Sequence, residues 1–372
     1  MTRIINILIA FFLSVVTTLS FGQNRKIIYI PDIPGYKTLK CDFHMHTVFS
    51  DGTVWPTIRI EEAWQQGLDA VSITDHIEYR PHSKDIISDH NRSYEIAEPL
   101  ANTLNILLIR GAEITRNMPP GHLNALFINN ANLLDREDVF EALKEAREQG
   151  AFILWNHPGW KAQQPDTTLW WDEHTQLLKN NMLHGIEVYN EKEYYPEVID
   201  WALSKNLTMF CNSDIHDPVS MAYDLKKNHR PVTLVFSRSR TKGGIREALF
   251  SRRTAAYFDN TLIGKANILE QLFFSSIKIN NQPLGLKNSE TKYVEIENHS
   301  DIDFDLELVQ PGIGFDVNEN IIIKSHHVTP LELRGNSEQV AGMNKLKIYY
   351  EVKNMMVSST ENLIVTIILT NK

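Results

Sequence analysis

The sequence predicts an α/β barrel followed by an all-β domain, and three observations carry that prediction. Short apolar runs alternate with helix-patterned segments from about residue 38 to 212, the signature of strands joined by crossover helices. Side chains able to ligate a metal recur where those runs stop, the end of the barrel at which active sites are built. Beyond about Ala266 the texture changes to strand-like runs separated by turn residues.

Taken in chain order, Arg3 followed by the apolar stretch Ile4–Leu19 and then Ser20-Phe21-Gly22 reads as a signal peptide, residues 1–22, cleaved before Gln23. The apolar stretch is shorter than the ~20 residues of a membrane span. A lead-in containing Pro31, Pro34 and Gly35 follows. Strands are expected near 38–43, 69–74, 107–113, 123–128, 151–155, 185–189 and 207–212. Several are almost wholly apolar, as parallel strands covered on both faces must be. Helices fall between them. One is capped by Thr57 and stopped by Gly67, a second is capped by Asp135 and ended by Gly150, and a third spans Tyr194–Asn206. Two long connections, Glu78–Asn91 and Gly159–Asp172, are candidates for pocket walls. The barrel domain is expected over 23–265 and a small β-sandwich over 266–372, with strands at Phe273–Ile279, Tyr293–Ile296, Phe304–Val309, Ile321–Ile323, Leu346–Val352 and Leu363–Leu369.

The stretch Cys41-Asp42-Phe43-His44-Met45-His46 ends the first apolar run with two histidines at i and i+2, which face the same way on a strand. Ser50-Asp51-Gly52 follows on the departing loop. Thr74-Asp75-His76, Glu113, Asn156-His157-Pro158 and Ser213-Asp214-Ile215-His216 end later runs, whereas His122 begins one. Imidazole and carboxylate together suit zinc, manganese or iron.

This ordered set resembles the motifs of the polymerase and histidinol phosphatase (PHP) family of metallohydrolases from about Leu39 to about Tyr257, with no ligand missing. With its expected signal peptide and additional C-terminal domain, the chain most resembles the secreted bacterial members that act as phosphodiesterases. The resemblance implies a distorted (β/α)7 barrel, TIM-like, with two or three divalent ions at its mouth. It implies a first ion on His44, His46, Glu113 and Asp214, a second on Glu113, His122 and His157, and a third on Asp51, His76 and His216. Glu113, Asp214 and Asp75 are the carboxylates expected in catalysis. Asp75 would stand behind the ligands to orient His76 or a ligand water; its alternative is a capping residue after the strand.

Clustered divalent ions lower the pKa of bound water toward ~7 and hold a phosphoryl group for in-line attack. The expectation is therefore hydrolysis of a phosphodiester by a metal-bound hydroxide. The alternatives are a phosphomonoesterase of the histidinol-phosphatase type and a secreted binding protein with a metal-loaded but inactive barrel. Arg80, Lys84, Lys161 and Arg230 are candidate phosphate contacts, each with solvent exposure as its alternative. Trp160, with Trp170 and Trp171, either walls an ester group or packs its loop onto the barrel. No Gly-x-Ser-x-Gly, P-loop or His-Glu-x-x-His motif competes.

Hydrophobic and charged contents of 42% and 22% are ordinary for a globular protein. The net charge of −9 gives no broad attraction to nucleic acid, so a small-molecule phosphoester is the expected partner. Cys41 and Cys211 each lie three residues before a candidate ligand and are read as packing thiols. They would lie on the first and last barrel strands, which are neighbours in a closed barrel, where a disulfide would be strained. His326-His327 is read as incidental, because adjacent strand residues face opposite ways.

Overall fold

The computed structural model describes residues 24–225, 227 and 229–372; the expected signal peptide lies outside the described residues. The barrel strands are β1 (Lys37–Asp42), β2 (Ala70–Ile73), β3 (Leu107–Ile114), β4 (Leu123–Leu126), β5 (Phe152–Trp155), β6 (Gly185–Asn190, with a two-residue hairpin partner β7, Glu193–Tyr194) and β8 (Thr208–Asn212). Between them lie α1 (Pro56–Gln65), α2 (Arg92–Thr103), α3 (Val139–Glu148), α4 (Asp172–Lys179) and α5 (Pro196–Ser204). Two caps differ from the expected ones. Pro56 occupies the first position of α1, where its missing N–H costs nothing, so Thr57 lies inside the helix. Asp138 rather than Asp135 caps α3, accepting from Glu141 N–H at 3.0 Å.

β1, β2 and β3 are parallel neighbours, as are β5, β6 and β8, but β4 runs antiparallel to both β3 and β5. Its first residues therefore lie at the same end of the barrel as the last residues of the other strands. A short helix α6 (Val219–Ala222) and then β9 (Val232–Ser237), α7 (Lys242–Phe250), β10 (Thr254–Phe258) and β11 (Thr261–Gly264) complete this part of the chain. β9 pairs antiparallel with β1 and with β10.

β1 and β8 are thus separated along most of their length and meet only at the mouth, where Met45 bridges Ile215. Along the open edge of β8, threonine hydroxyls replace a backbone ladder. Thr233 Oγ1 accepts from Cys211 N–H at 2.9 Å and donates to Cys211 O at 2.8 Å, and Thr254 Oγ1 donates to Met209 O at 2.8 Å. These bonds satisfy groups that would otherwise be buried unpaired. Cys41 and Cys211 are free, buried thiols with Thr233 between their strands. Leu39, Cys41, Phe43, Ile109, Phe152 and Phe210 fill the barrel interior, and Ile245, Ala248 and Leu249 of α7 join them at the end opposite the histidines.

A helix, α8 (Ala266–Ser276), follows β11, where strand was expected from Phe273. Ile268, Leu269, Leu272, Phe273 and Ser276 are its buried residues, one face at helical spacing. Two sheets follow. One is β12 (Ile277–Asn280), β13 (Thr291–Asn298), β17 (Val328–Gly335) and β15 (Phe315–Val317); the other contains β16 (Asn320–Ile323), β14 (Phe304–Leu308), β18 (Lys345–Met356) and β19 (Asn362–Thr370). Alternate residues point inward, such as Val294 and Ile296, Leu331 and Leu333, and Leu346, Ile348, Tyr350 and Val352. The second sheet is continuous with the barrel, because β11 pairs parallel with the end of β18.

A buried histidine ties α4 to the loop above the site. His174 Nδ1 accepts from Trp171 N–H at 3.1 Å, Nε2–H donates to Pro120 O at 2.8 Å, and the ring stacks on Trp155 at 3.5 Å. Both nitrogens are committed to the neutral tautomer, and burial pushes the pKa down from 6.5 to about 4. The unfolded chain takes up this proton first as pH falls, so the stabilisation is complete above pH 6.5 and is lost toward pH 4. Urea unfolding of wild type and His174→Phe is predicted to show a stability difference that is flat above pH 6.5 and shifts by roughly 2–3 kcal/mol against the wild type on acidification. A difference independent of pH would refute the assignment.

Candidate metal centre

Beyond β1 the chain is pinned on both sides. His46 N–H donates to Ile215 O at 3.0 Å, Asp214 N–H to His44 O at 2.9 Å, and Thr74 N–H to Met45 O at 2.9 Å. Both imidazoles are fully buried. His44 Nδ1 lies 3.0 Å from Glu187 Oε1, which turns Nε2 toward Glu113 Oε2 at 3.3 Å and Asp214 Oδ1 at 3.0 Å. His46 Nε2 approaches the same two oxygens at 3.3 and 2.9 Å. These spacings match the edges of a coordination polyhedron whose ligands stand ~2.0–2.2 Å from one ion.

Two further groups lie beside this one, the first of them built on the other oxygens of Glu113 and Asp214. Glu113 Oε1 lies 3.0 Å from His122 Nδ1 and 3.6 Å from His157 Nε2, and Asp214 Oδ2 lies 3.9 Å from His157 Nε2. Asp51 Oδ1 lies 3.4 Å from His76 Nε2 and 3.3 Å from His216 Nε2. The structure brings all nine residues singled out as candidate ligands to one mouth, but the sets close enough to share one ion overlap differently from those expected: His44, His46 and Glu113; His44, His157 and Asp214; His76, Glu113 and His122; and His46, Asp51, His76 and His216. His76 joins two of them, since its Nδ1 lies 3.0 Å from Glu113 Oε2. His122, which begins its strand, reaches the mouth because β4 is antiparallel.

Local geometry explains the loop residues. His157 and Asp214 have positive φ of 28° and 48°, a conformation that costs energy outside glycine and persists where surrounding structure enforces it. His157 N–H donates to Glu187 Oε2 at 2.7 Å. Gly52 packs on the His46 backbone, and a Cβ there would lie 2.7 Å from His46 C, so the Asp51 turn requires glycine.

Burial alone would raise the carboxyl pKa values of Glu113 and Asp214, but the imidazoles of His76, His44 and His122 around the first, and of His44 and His46 around the second, hold both well below the usual range. Asp51 is lowered in the same way, against burial, by His216 and His76. Burial opposes protonation of the imidazoles, yet the carboxylates win at several: His44 is raised well above its ordinary value by Asp214, Glu187 and Glu113, His76 to about 10 by Glu113 and Asp51, and His216 to about 9 by Asp51 and Asp214. At His122 burial wins and the pKa falls. Carboxylates and imidazoles at the mouth thus each favour the charged form of the other. His46 Nε2, Asp51 Oδ1 and Asp214 Oδ1 are buried without a well-aligned hydrogen bond among the described residues, and each belongs to a residue of a candidate ligand group. Divalent cations would satisfy all three, and the donor set fits zinc, manganese or iron.

Behind the ligands stand residues that the sequence reading passed over. Glu187 is fully buried on β6 and also accepts from Asn190 Nδ2 at 2.8 Å and Asn212 Nδ2 at 2.9 Å. Its signal was a carboxylate inside the otherwise apolar run Gly185–Tyr189. Asn156 Nδ2 donates to Glu113 Oε1 at 2.8 Å. The guanidinium of Arg59, fully buried on α1, donates to the carbonyls of His46, Ile215, His216 and Asp217 and so clamps two ligand loops together.

Asp75 departs from its expected place. Its oxygens accept from Thr47 N–H at 2.7 Å, Thr47 Oγ1 and Ser50 Oγ, so it braces the loop carrying Asp51, while His76 turns to Thr115, Glu113 and Asp51. Arg230 is not a substrate contact: it is fully buried and paired with Asp42 at 3.0 Å. Arg80 is committed to Phe49 O and Ser88 O, and Lys84 is exposed. Lys161 lines a neighbouring groove. Trp160 does reach the site, with its ring 5.7 Å from His122 and 5.3 Å from His157, whereas Trp170 packs on Trp155, Trp201 and His174. His326 pairs with Asp301, away from the centre.

The groups open into a cleft of ≈ 370 Å³ whose remaining walls include Tyr79, Thr115, Trp160, Gln163, Glu191 and Glu193.

Comparison with known proteins bears on this geometry. The chain is 46% identical to a two-domain protein of Bacteroides vulgatus containing a predicted PHP-like metal-dependent phosphoesterase; the match covers 94% of this chain and 100% of that one, with a TM-score of 0.89. A protein of Bifidobacterium adolescentis described as a metal-dependent phosphoesterase matches at 17% identity over 57% of this chain and 96% of that one, but its TM-score of 0.42 carries no argument. A family model described as an Ig-like domain matches residues 277–368. A search of curated proteins finds no match.

Removing divalent metal with a chelator is predicted to lower the melting temperature, with restoration by manganese or zinc, because ions that bind only the folded chain stabilise it. Glu187→Gln keeps the fold and weakens metal binding roughly 10- to 100-fold, read by calorimetric titration of the stripped protein. Unchanged affinity would show that Glu187 does not position His44.

Proposed function

The chain belongs to the PHP-like metal-dependent phosphoesterases, and on that premise we propose that it hydrolyses phosphodiesters to a phosphomonoester and an alcohol. The observation that carries the choice of ester is the charge of the cleft wall. Among the described residues lining it, none is lysine or arginine, and the two that stand outside the ligand groups with charge are Glu191 and Glu193. A diester brings one negative charge to this wall. A monoester brings nearly two at neutral pH, with no side-chain cation to receive the second.

Divalent ions held by the nine residues would supply an activated water and neutralise phosphoryl oxygens. The chain's own contribution is positional. Glu113 presents one oxygen to each of two groups and is steadied by Asn156. Glu187 holds His44 by Nδ1, leaving Nε2 directed at the centre. Asp75 and Gly52 shape the turn that aims Asp51. Trp160 covers His122 and His157 and limits water on that side. Thr115 and Gln163 offer neutral hydrogen-bonding groups to ester oxygens.

A second reading, hydrolysis of monoesters, draws on the third ligand group of Asp51, His76 and His216, since a third cation would offset a dianion. The N-terminal pattern of Arg3 and Ile4–Leu19 supports export as the setting of either activity.

The test is hydrolysis of bis(p-nitrophenyl) phosphate beside p-nitrophenyl phosphate by protein reloaded with manganese or zinc. The predicted result is a kcat/KM at least about tenfold higher for the diester, abolished in Glu113→Gln. Faster cleavage of the monoester would overturn the proposal. Glu191→Gln is predicted to shift the preference severalfold toward the monoester by removing an exposed like charge, more at low salt than at high.

A further inference from the structure

Beside the cleft runs a second space, a groove of ≈ 410 Å³ lined by Lys161, Thr167, Thr168, Lys192, Tyr194 and, shared with the cleft, Glu193. The common wall is built to stay in place. Glu193 stands at the start of β7, paired with Asn190, and its carboxylate accepts from Tyr195 Oη at 2.7 Å. Glu191 turns the hairpin with φ 53°. On the other side, Gly159 follows the ligand segment Asn156-His157-Pro158 directly. A Cβ on Gly159 would lie 2.4 Å from Thr168 Oγ1 and 2.6 Å from the Tyr195 ring, so only glycine lets this loop lie against Tyr195 between the two spaces.

Resting on the diesterase reading, we propose that this groove is a subsite for a polyhydroxylated, sugar-like group carried on the phosphodiester. The groove offers Lys161 and Lys192 as donors, Glu193 and Glu197 as acceptors, and Thr167 and Thr168 as both. Hydroxyl-rich ligands use such a mixed set, because each hydroxyl both donates and accepts. The Tyr194 ring, 37% exposed at the groove, offers an apolar face for the C–H side of a sugar ring. A lipid chain would meet charged and hydroxyl groups along most of the groove. A polyanion would meet Asp166, Glu193 and Glu197 against two lysines. With one ester group in the groove and the phosphorus over the metal groups, the other ester oxygen leaves toward the open cleft.

The test compares two diesters that release the same chromophore, the p-nitrophenyl ester of glucose 6-phosphate and methyl p-nitrophenyl phosphate. Wild type is predicted to favour the glucose ester. Lys161→Ala and Tyr194→Ala, two independent changes on different segments lining the groove, are each predicted to cut the glucose-to-methyl ratio of kcat/KM about tenfold, through KM rather than kcat. No wild-type preference, or a ratio unmoved in both variants while both esters are cleaved, overturns the subsite alone. Cleavage of p-nitrophenyl phosphate with neither diester cleaved overturns the diesterase reading and the subsite with it.

Discussion

Glu113 stands where the ligand groups meet, and the barrel is arranged around keeping it there. One oxygen faces His44 and His46, the other faces His122 and His157, and His76 reaches it from the third group. Only a carboxylate can do this, because only it offers two anionic oxygens on one rigid group. Its burial is costly in isolation, and the ring of imidazoles offsets that cost by favouring the ionised form. The buried atoms of His46, Asp51 and Asp214 that lack an aligned hydrogen bond follow from the same arrangement: imidazoles and carboxylates converge on one another, a geometry suited to cations.

Holding so many like groups at one point requires support from outside the ligand set. Arg59 clamps the His46 and Ile215–Asp217 backbones, Glu187 fixes His44 and the His157 loop, and Asp75 braces the turn before Asp51. These contacts come from α1, β6 and the end of β2, so the centre draws rigidity from much of the barrel. The open edge of β8 belongs to the same logic. Closure through threonine hydroxyls lets β9 and β10 enter below while the strand ends still converge at the mouth. The C-terminal sandwich then extends the sheet from β11 and packs on α8, away from the cleft-lining residues.

Most of the candidate ligands were legible in the sequence because they interrupt a pattern, a polar side chain where an apolar run stops, with His122 the exception at the start of one. The seven barrel strands were legible for the complementary reason, since strands covered on both faces are nearly all apolar whichever way they run. What was not legible depended on partners far away in the chain. Glu187 lies inside a strand, and nothing local distinguishes a carboxylate that orients His44 from a misplaced charge. Arg230 reads as a surface cation until its distant partner Asp42 is known. Asp75 follows the pattern of a residue behind a ligand, but its direction was set by the folded-back Thr47–Ser50 turn. His122 looked anomalous only because strand direction is invisible to periodicity. Segment Phe273–Ile279 crosses a helix–strand junction, which a residue-by-residue apolar run cannot locate.

The central claim is that Glu113 joins neighbouring cations in one coupled centre. Low-temperature electron paramagnetic resonance of the protein stripped of metal and reloaded with manganese(II) tests it most directly. A spin-coupled spectrum that grows in as metal is added, and that is lost in Glu113→Ala, is the predicted result. A spectrum of magnetically isolated manganese at every loading would contradict the account.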